Sequence, residues 1–91
     1  MYILTREGKE DEGAYSVRNE VGDNILYIFK EKDDAVRFAM MLEEDGSSEM
    51  SIMEVEPEMI IPACQVNGYE YIIFTSDDIV IPPKTVKNDY I

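Results

Sequence analysis

The sequence predicts an α+β fold, a two-layer sandwich in which two helices cover one face of a mixed, mostly antiparallel sheet of about five strands. The chain is 45% hydrophobic, which is enough to form a core, and its 91 residues are too few to form two cores. Several short segments alternate between apolar and polar residues, which is typical of strands. In one longer segment the apolar residues recur about every 3.6 positions, which is typical of a helix. The expected order of elements is βββαβαβ, a mixture that packs as layers.

The first three elements are predicted strands. The segment "YILT" alternates well enough for a short strand, and the polar "REGKEDEG" after it is typical of a loop. In "AYSVRNE", Tyr15 and Val17 share one face of a second strand. After the turn "VGDN", residues 24–30 are apolar on both faces, which predicts the most buried strand, paired with the second in a hairpin.

The segment "KDDAVRFAMMLEEDG" predicts a helix from Asp34 to Asp45. Its apolar positions stack on one helical face: Ala35, Phe38, Ala39 and Leu42. Asp33 suits the N-cap, and Gly46 can adopt the left-handed conformation that ends a helix. A helical crossover would make the third and fourth strands parallel if they share the sheet.

The next segments predict a strand, a short helix and a strand. "MSIMEVE" is the fourth strand and Pro57 ends it. Because Pro62 would break a helix that starts at Pro57 but suits the first turn of one starting later, we expect a helix over residues 61–67, closed by Gly68. "YEYIIFT" is the fifth strand.

The chain is expected to form one domain over residues 1–76. Residues 77–91 change character, since Pro82 and Pro83 enforce an extended path. This segment is predicted to be either a tail or an arm along the sheet edge.

Charge is the strongest compositional feature. Twenty acidic residues against eight basic ones give a net charge of −12, which repels nucleic acids and anionic membrane surfaces. No Lys or Arg occurs between Arg37 and Lys84, an interval that holds ten acidic residues. The sequence therefore predicts neither direct nucleic-acid binding nor membrane binding, and favours a basic protein partner.

The residue types present argue against most catalytic chemistry. The sequence has no His and a single Cys, Cys64, which we expect to be a small buried hydrophobe because no usual base is present to activate its thiol. The five glycines are isolated and form no phosphate-binding loop. We therefore predict no catalytic, metal-binding or cofactor-binding residues. The lone Cys, the absence of a signal-peptide pattern and the shortness of every apolar run predict a cytoplasmic protein.

Three segments together resemble a known family. They are "EGAYSV", "LYIFKEKDDAVRFAMMLE" and "ACQVNGYEYIIF". In that order they are similar to the short cyanobacterial and plastid proteins called domain of unknown function 3110, over about residues 2–74. The resemblance implies a small α+β domain from an oxygenic phototroph or a phage that infects one, and it implies no catalytic residues.

Residues 41–59 include seven acidic residues and four methionines, which predicts a surface that attracts a basic partner and packs against it. The predicted partner-binding residues are Met41, Glu43, Glu44, Asp45, Glu49, Met50, Glu56, Glu58 and Met59. The leading hypothesis is a non-enzymatic protein-binding module.

Two alternatives belong to other functional classes. The protein could mimic the charge of a nucleic acid and block a DNA- or RNA-binding protein. It could also bind a small molecule, or act as an enzyme, through a tyrosine-rich sheet face that includes Tyr15, Tyr27 and Tyr71, together with Cys64. An exposed sheet face or edge could in addition pair two copies of the chain.

Overall fold

The computed structural model describes residues 1–47, 49–78 and 87–91. The elements are β1 (Tyr2–Arg6), a 3-10 turn (Glu10–Glu12), β2 (Tyr15–Arg18), β3 (Asn24–Phe29), α1 (Lys32–Glu44), β4 (Met50–Glu54), α2 (Pro57–Asn67), β5 (Glu70–Phe74) and β6 (Lys87–Tyr90). The predicted α+β class and the order βββαβαβ are confirmed, and β6 follows the predicted elements.

Strand β3 lies at the centre of the sheet. Strand β5 pairs with it in parallel along one edge. On the other edge, β2 pairs antiparallel with the first half of β3, and β1 meets its last residue, Phe29. Strand β4 extends the sheet beyond β1, and β6 extends it beyond β2, both antiparallel. The sheet is thus mixed and mostly antiparallel, and β3 and β4, which are both antiparallel to β1, run parallel to each other as predicted.

The two helices cover opposite faces of the sheet, so the prediction that both lie on one face is wrong. Neighbouring residues of a strand point to opposite faces, and in β1 Leu4 packs in a cluster with α1 while Ile3 packs in a cluster with Cys64 of α2. The same alternation holds in β3, where Phe29 belongs to the α1 side and Ile28 to the α2 side. Because β3 is apolar on both faces, each face needs its own covering layer.

Aromatic rings fill the space between the sheet and α1. They are Tyr15, Tyr27, Phe29, Phe38, Phe74 and Tyr90, and their contacting centroids lie 5.0 to 6.1 Å apart. Most of these pairs are edge-to-face or tilted, the arrangement that aromatic quadrupoles favour. Tyr15 is completely buried at the centre of this aromatic cluster.

Helix α1 begins two residues earlier than predicted, at Lys32, and ends at Glu44. Glu31 occupies the N-cap position in place of Asp33, which lies in the first turn with Asp34. Carboxylates in a first turn interact favourably with the helix dipole without capping it, so the prediction of Asp33 as the N-cap is wrong. All four predicted core residues of the helix are buried.

Helix α2 is longer than predicted because it begins at Pro57 and runs through Pro62. Pro57 takes the first helical position, where its missing N–H costs nothing. Pro62 lies inside the helix, where it leaves the carbonyl of Glu58 without its usual donor four residues later. Gly68 ends the helix in the left-handed conformation, as predicted.

The end of the chain returns to the sheet. Strand β6 pairs with β2, and Ile91 then exchanges two backbone hydrogen bonds with Ala14. Gly13 has φ +116° and ψ 175°, a combination that is essentially restricted to glycine, and a Cβ at this position would overlap the backbone of Ile91. Of the predicted extended segment 77–91, residues 79–86 lie outside the described residues.

We expect Gly13→Ala to release Ile91 from Ala14. The control is Gly22→Ala, where φ is also positive (+96°) but a Cβ would meet open space. Backbone strain should cost roughly 1–3 kcal/mol in either variant, and in Gly13→Ala the overlap of the new Cβ with Ile91 should add to this cost. Urea unfolding gives the stabilities, and hydrogen exchange at Ala14 and Ile91 reports the release. Equal losses with retained protection would contradict this account.

Ionisation of the buried phenols should unfold the protein at high pH. Burial raises the pKa of Tyr15, Tyr27 and Tyr90 above 10. Since the unfolded chain then releases these protons at lower pH than the folded one does, the free energy of unfolding should fall as pH rises beyond about 10. Absorbance titration should show these phenolates appearing together with loss of circular dichroism; their appearance in a folded protein would contradict the prediction.

Candidate functional site

The fold divides the predicted partner-binding residues into two groups. Met41, Glu43, Glu44, Asp45, Glu49 and Met50 surround the connection from α1 to β4, whereas Glu56, Glu58 and Met59 lie where α2 begins. Strand β4 separates the groups by about 15 Å at roughly 3.3 Å per residue. The predicted surface is therefore two surfaces, which we call the α1 end and the α2 face.

The α1 end gathers more carboxylates than the sequence predicts. The backbone N–H of Glu7 donates to the carbonyl of Glu49 at 3.0 Å. A side-chain hydrogen bond with Glu49 raises the pKa of Glu7, as do the negative charges of Glu49, Glu10 and Glu43. Sequence reasoning missed Glu7 and Glu10 because they follow β1, about 40 residues from the segment that the β1–β4 pairing brings beside them.

The methionines of the α1 end are mostly used for packing. Met50 is only 7% exposed, and its sulfur accepts a hydrogen bond from the Tyr90 hydroxyl at 3.7 Å. Its predicted role as a surface anchor is corrected, since its side chain belongs to the core on the α1 side. Met41 is half-buried against the same core. The α1 end thus presents charge, and of its two predicted methionines only Met41 is partly accessible.

The α2 face continues from the residues at the start of α2 along the exposed side of the helix, and it combines apolar and acidic residues. Met59 and Val66 are 72% and 86% exposed, and Pro62 and Ala63 between them are also exposed. Residues spaced by three or four lie on one side of a helix, so these four residues form a continuous outer row. Helix surfaces that face water are normally polar, which makes this row unusual.

Carboxylates are the charged groups of this part of the chain. Strand β4, helix α2 and strand β5 contain Glu54, Glu58 and Glu70, with Glu56 just before α2, and contain no Lys or Arg. The outer row is therefore apolar along its length, and the charged residues at the start of its own helix, Glu56 and Glu58, are acidic.

A cavity of about 280 Å³ lies between α2 and the sheet. Its walls come from α2, from β3, from Ala14 before β2, and from Ile91. Cys64 forms part of the wall and is buried, as predicted, and burial raises the pKa of its thiol. The thiol is consequently neutral near pH 7 and acts as apolar surface.

The tyrosines that the sequence suggests for a small-molecule site do not line this cavity. Tyr15 and Tyr27 are held in the aromatic cluster beneath α1. Tyr71 lies on β5 in a shallow depression with Ile25 and Ile72. Among the described residues, no group of three or more His, Cys, Asp or Glu side chains is arranged to hold a metal ion.

The fold and these surfaces define a small α+β domain whose central sheet carries one helix on each face, with an acidic edge and an apolar helix row. The chain belongs to the family named Domain of unknown function (DUF3110), because the sequence model of that family matches residues 1–84. Comparisons with the curated proteins and with the solved structures give no match. In the part of the chain that the structure describes, no helix has the length and apolar character needed to cross a membrane.

We expect Glu7→Gln to increase stability at neutral pH. Because neighbouring carboxylates raise the pKa of Glu7 in the folded state, its ionisation opposes folding, and that penalty disappears as pH falls below the raised pKa. The free energy of unfolding in urea should exceed that of the wild type at pH 7 and match it near pH 3. Glu20→Gln, in the β2–β3 turn, is the control. A gain that is the same at both pH values would contradict this explanation.

Proposed function

We propose that this protein is a non-enzymatic module, working in the cytosol of a cyanobacterium or plastid or in a cyanophage-infected cell, that binds a basic partner protein through the α2 face. The observation that carries the proposal is the outer row of α2, four exposed apolar residues on a helix whose flanking charges are all carboxylates. Exposed apolar patches rimmed by polar residues are typical of interaction sites.

Apolar contact would supply most of the affinity. Met59 has an adaptable, polarisable side chain that can fit an uneven partner surface. Burial of apolar surface contributes about 25 cal/mol per Å², and Met59 and Val66 are the most exposed large apolar side chains on α2. A partner seated on the outer row would remove both from water.

The carboxylates would select the partner and accelerate its approach. Glu56 and Glu58 begin α2, within reach of a partner on the outer row, and favour Lys or Arg beside the apolar contact. The α1 end, about 15 Å away, lies beyond the screening length of roughly 8 Å in physiological salt. It would therefore guide encounter and contribute little to the bound state.

The same arrangement supports a protein partner more than it supports mimicry of a nucleic acid. A charge mimic needs carboxylates spaced like phosphates along a row. Here the half-buried Ser51 and Ile52 of β4 lie between the two acidic groups. An apolar row is, in contrast, what a protein partner would bury.

Affinity capture from a cyanobacterial lysate tests the proposal when variants are compared in parallel. Val66→Ser should lower recovery of specific basic proteins roughly fivefold or more, since full burial of a valine side chain contributes about 1.5–3 kcal/mol. Val21→Ser is the matched control, because Val21 is 85% exposed in the β2–β3 turn and Val66 is 86% exposed. Recovery is quantified by mass spectrometry at low and high salt.

A second pair of variants isolates the charge effect. Glu58→Lys and Glu20→Lys change the net charge equally, so the overall field is matched and the position differs. Glu58→Lys should reduce recovery of the same proteins at low salt, whereas Glu20→Lys should not. The proposal fails if both members of either pair behave alike, or if recovery does not depend on salt.

A further inference from the structure

We propose that the cavity beneath α2 receives one bulky apolar side chain of the basic partner, an aromatic residue or leucine flanked by Lys or Arg. This inference deepens the proposed function and rests on it. The cavity opens beside the outer row, and Ala63 belongs to both. A partner seated on the row would therefore have an anchoring position next to it.

The volume of the cavity is sufficient for a single large side chain. It is about 280 Å³, just below the range of about 300–1,000 Å³ that is typical of sites for drug-sized ligands and cofactors. That volume is close to the volume that about nine water molecules occupy in the liquid, at roughly 30 Å³ each. It can hold one large side chain. Interface hot spots are typically such pockets, each filled by one anchoring residue.

The walls favour an apolar occupant. Leu26, Ile60 and the neutral thiol of Cys64 line the interior. Asn67 is one of the few polar groups, and its amide already donates to the carbonyl of Ala63 at 2.8 Å. An occupant with its own polar groups would lose hydrogen bonds to water and gain few in return.

The opening of the cavity lies near the acidic residues at the start of α2. Ile60, Ala63 and Asn67 are spaced by three and four residues, so they lie side by side along α2 next to the outer row. Glu56 lies one turn before Ile60, about 6 Å along the helix axis. A cationic group beside the anchor would therefore be favoured over an anionic one.

Three probes that share one ring system test the inference directly. Indole is neutral, tryptamine adds an ammonium group and indole-3-acetate adds a carboxylate. Titrations followed by NMR should give saturable shifts at Ala63, Cys64 and Tyr69, with dissociation constants on the order of 1 mM for indole. Tryptamine should bind about threefold more tightly than indole-3-acetate at low salt, and this preference should shrink as salt rises.

Filling the cavity should weaken this binding. Ala63→Leu places extra methyl groups in the mouth and should weaken indole binding about tenfold, and Ala63→Val provides a smaller change if the first variant folds poorly. Val21→Leu is the control, because it adds bulk at an exposed turn residue that does not line the cavity, and it should change indole affinity less than about twofold. Far-UV circular dichroism checks that each variant is folded.

The outcomes separate this inference from the proposed function. If no probe shifts the cavity residues, if Ala63→Leu leaves binding unchanged, or if indole-3-acetate binds best, the anchor site is wrong. The dependence of capture on Val66 and Glu58 would in that case still support the proposed function. If the probes bind but Ala63→Leu captures the same proteins as the wild type, the cavity does not serve the partner and the inference is overturned.

Discussion

Strand β3 carries apolar side chains on both of its faces, and the architecture follows from the need to bury both. Leu26 and Ile28 point to the α2 side and Phe29 points to the α1 side, and all three are buried. A single helical layer would leave one of these faces in water, at a cost of about 1.5–3 kcal/mol for each large side chain. The chain meets this demand with α1 on one side of the sheet and α2 on the other.

The two covering layers are unequal. Helix α1 contributes four buried residues and its aromatic ring lies among five others, whereas Cys64 is the one fully buried residue of α2. Pro62 also removes a hydrogen bond within α2. The α2 side holds in addition the buried hydroxyls of Thr5 and Ser16, which have no hydrogen-bond partner among the described residues. Helix α2 is therefore the less firmly held layer, and a ligand that binds only its folded form would stabilise it.

Local pattern was enough to predict the elements, and it was not enough to predict how they meet. Five strands and α1 follow from periods of 2 and 3.6, and α1 differs from its prediction by two residues at its start. The segment "NILYIF" already carried the signal for two covering layers, because it is apolar at consecutive positions. The predicted start of α2 at residue 61 is wrong because two prolines, Pro57 and Pro62, suit a first helical turn equally well and the helix begins at Pro57. The approach of Glu7 to Glu49 depends on the β1–β4 register, which no local pattern contains.

The separation between charge and apolar surface decides what each can contribute. At the α1 end the carboxylates lie close enough that Glu7 has a raised pKa, so that surface is held at some cost to the folded state. One of its two predicted methionines, Met50, is buried in the core. At the α2 face the charges are fewer, but Met59 lies directly beside Glu58, so attraction and burial would act on the same residues of the proposed partner. In the proposed complex, affinity should therefore reside at the α2 face, while the α1 end would influence which molecules approach and how fast.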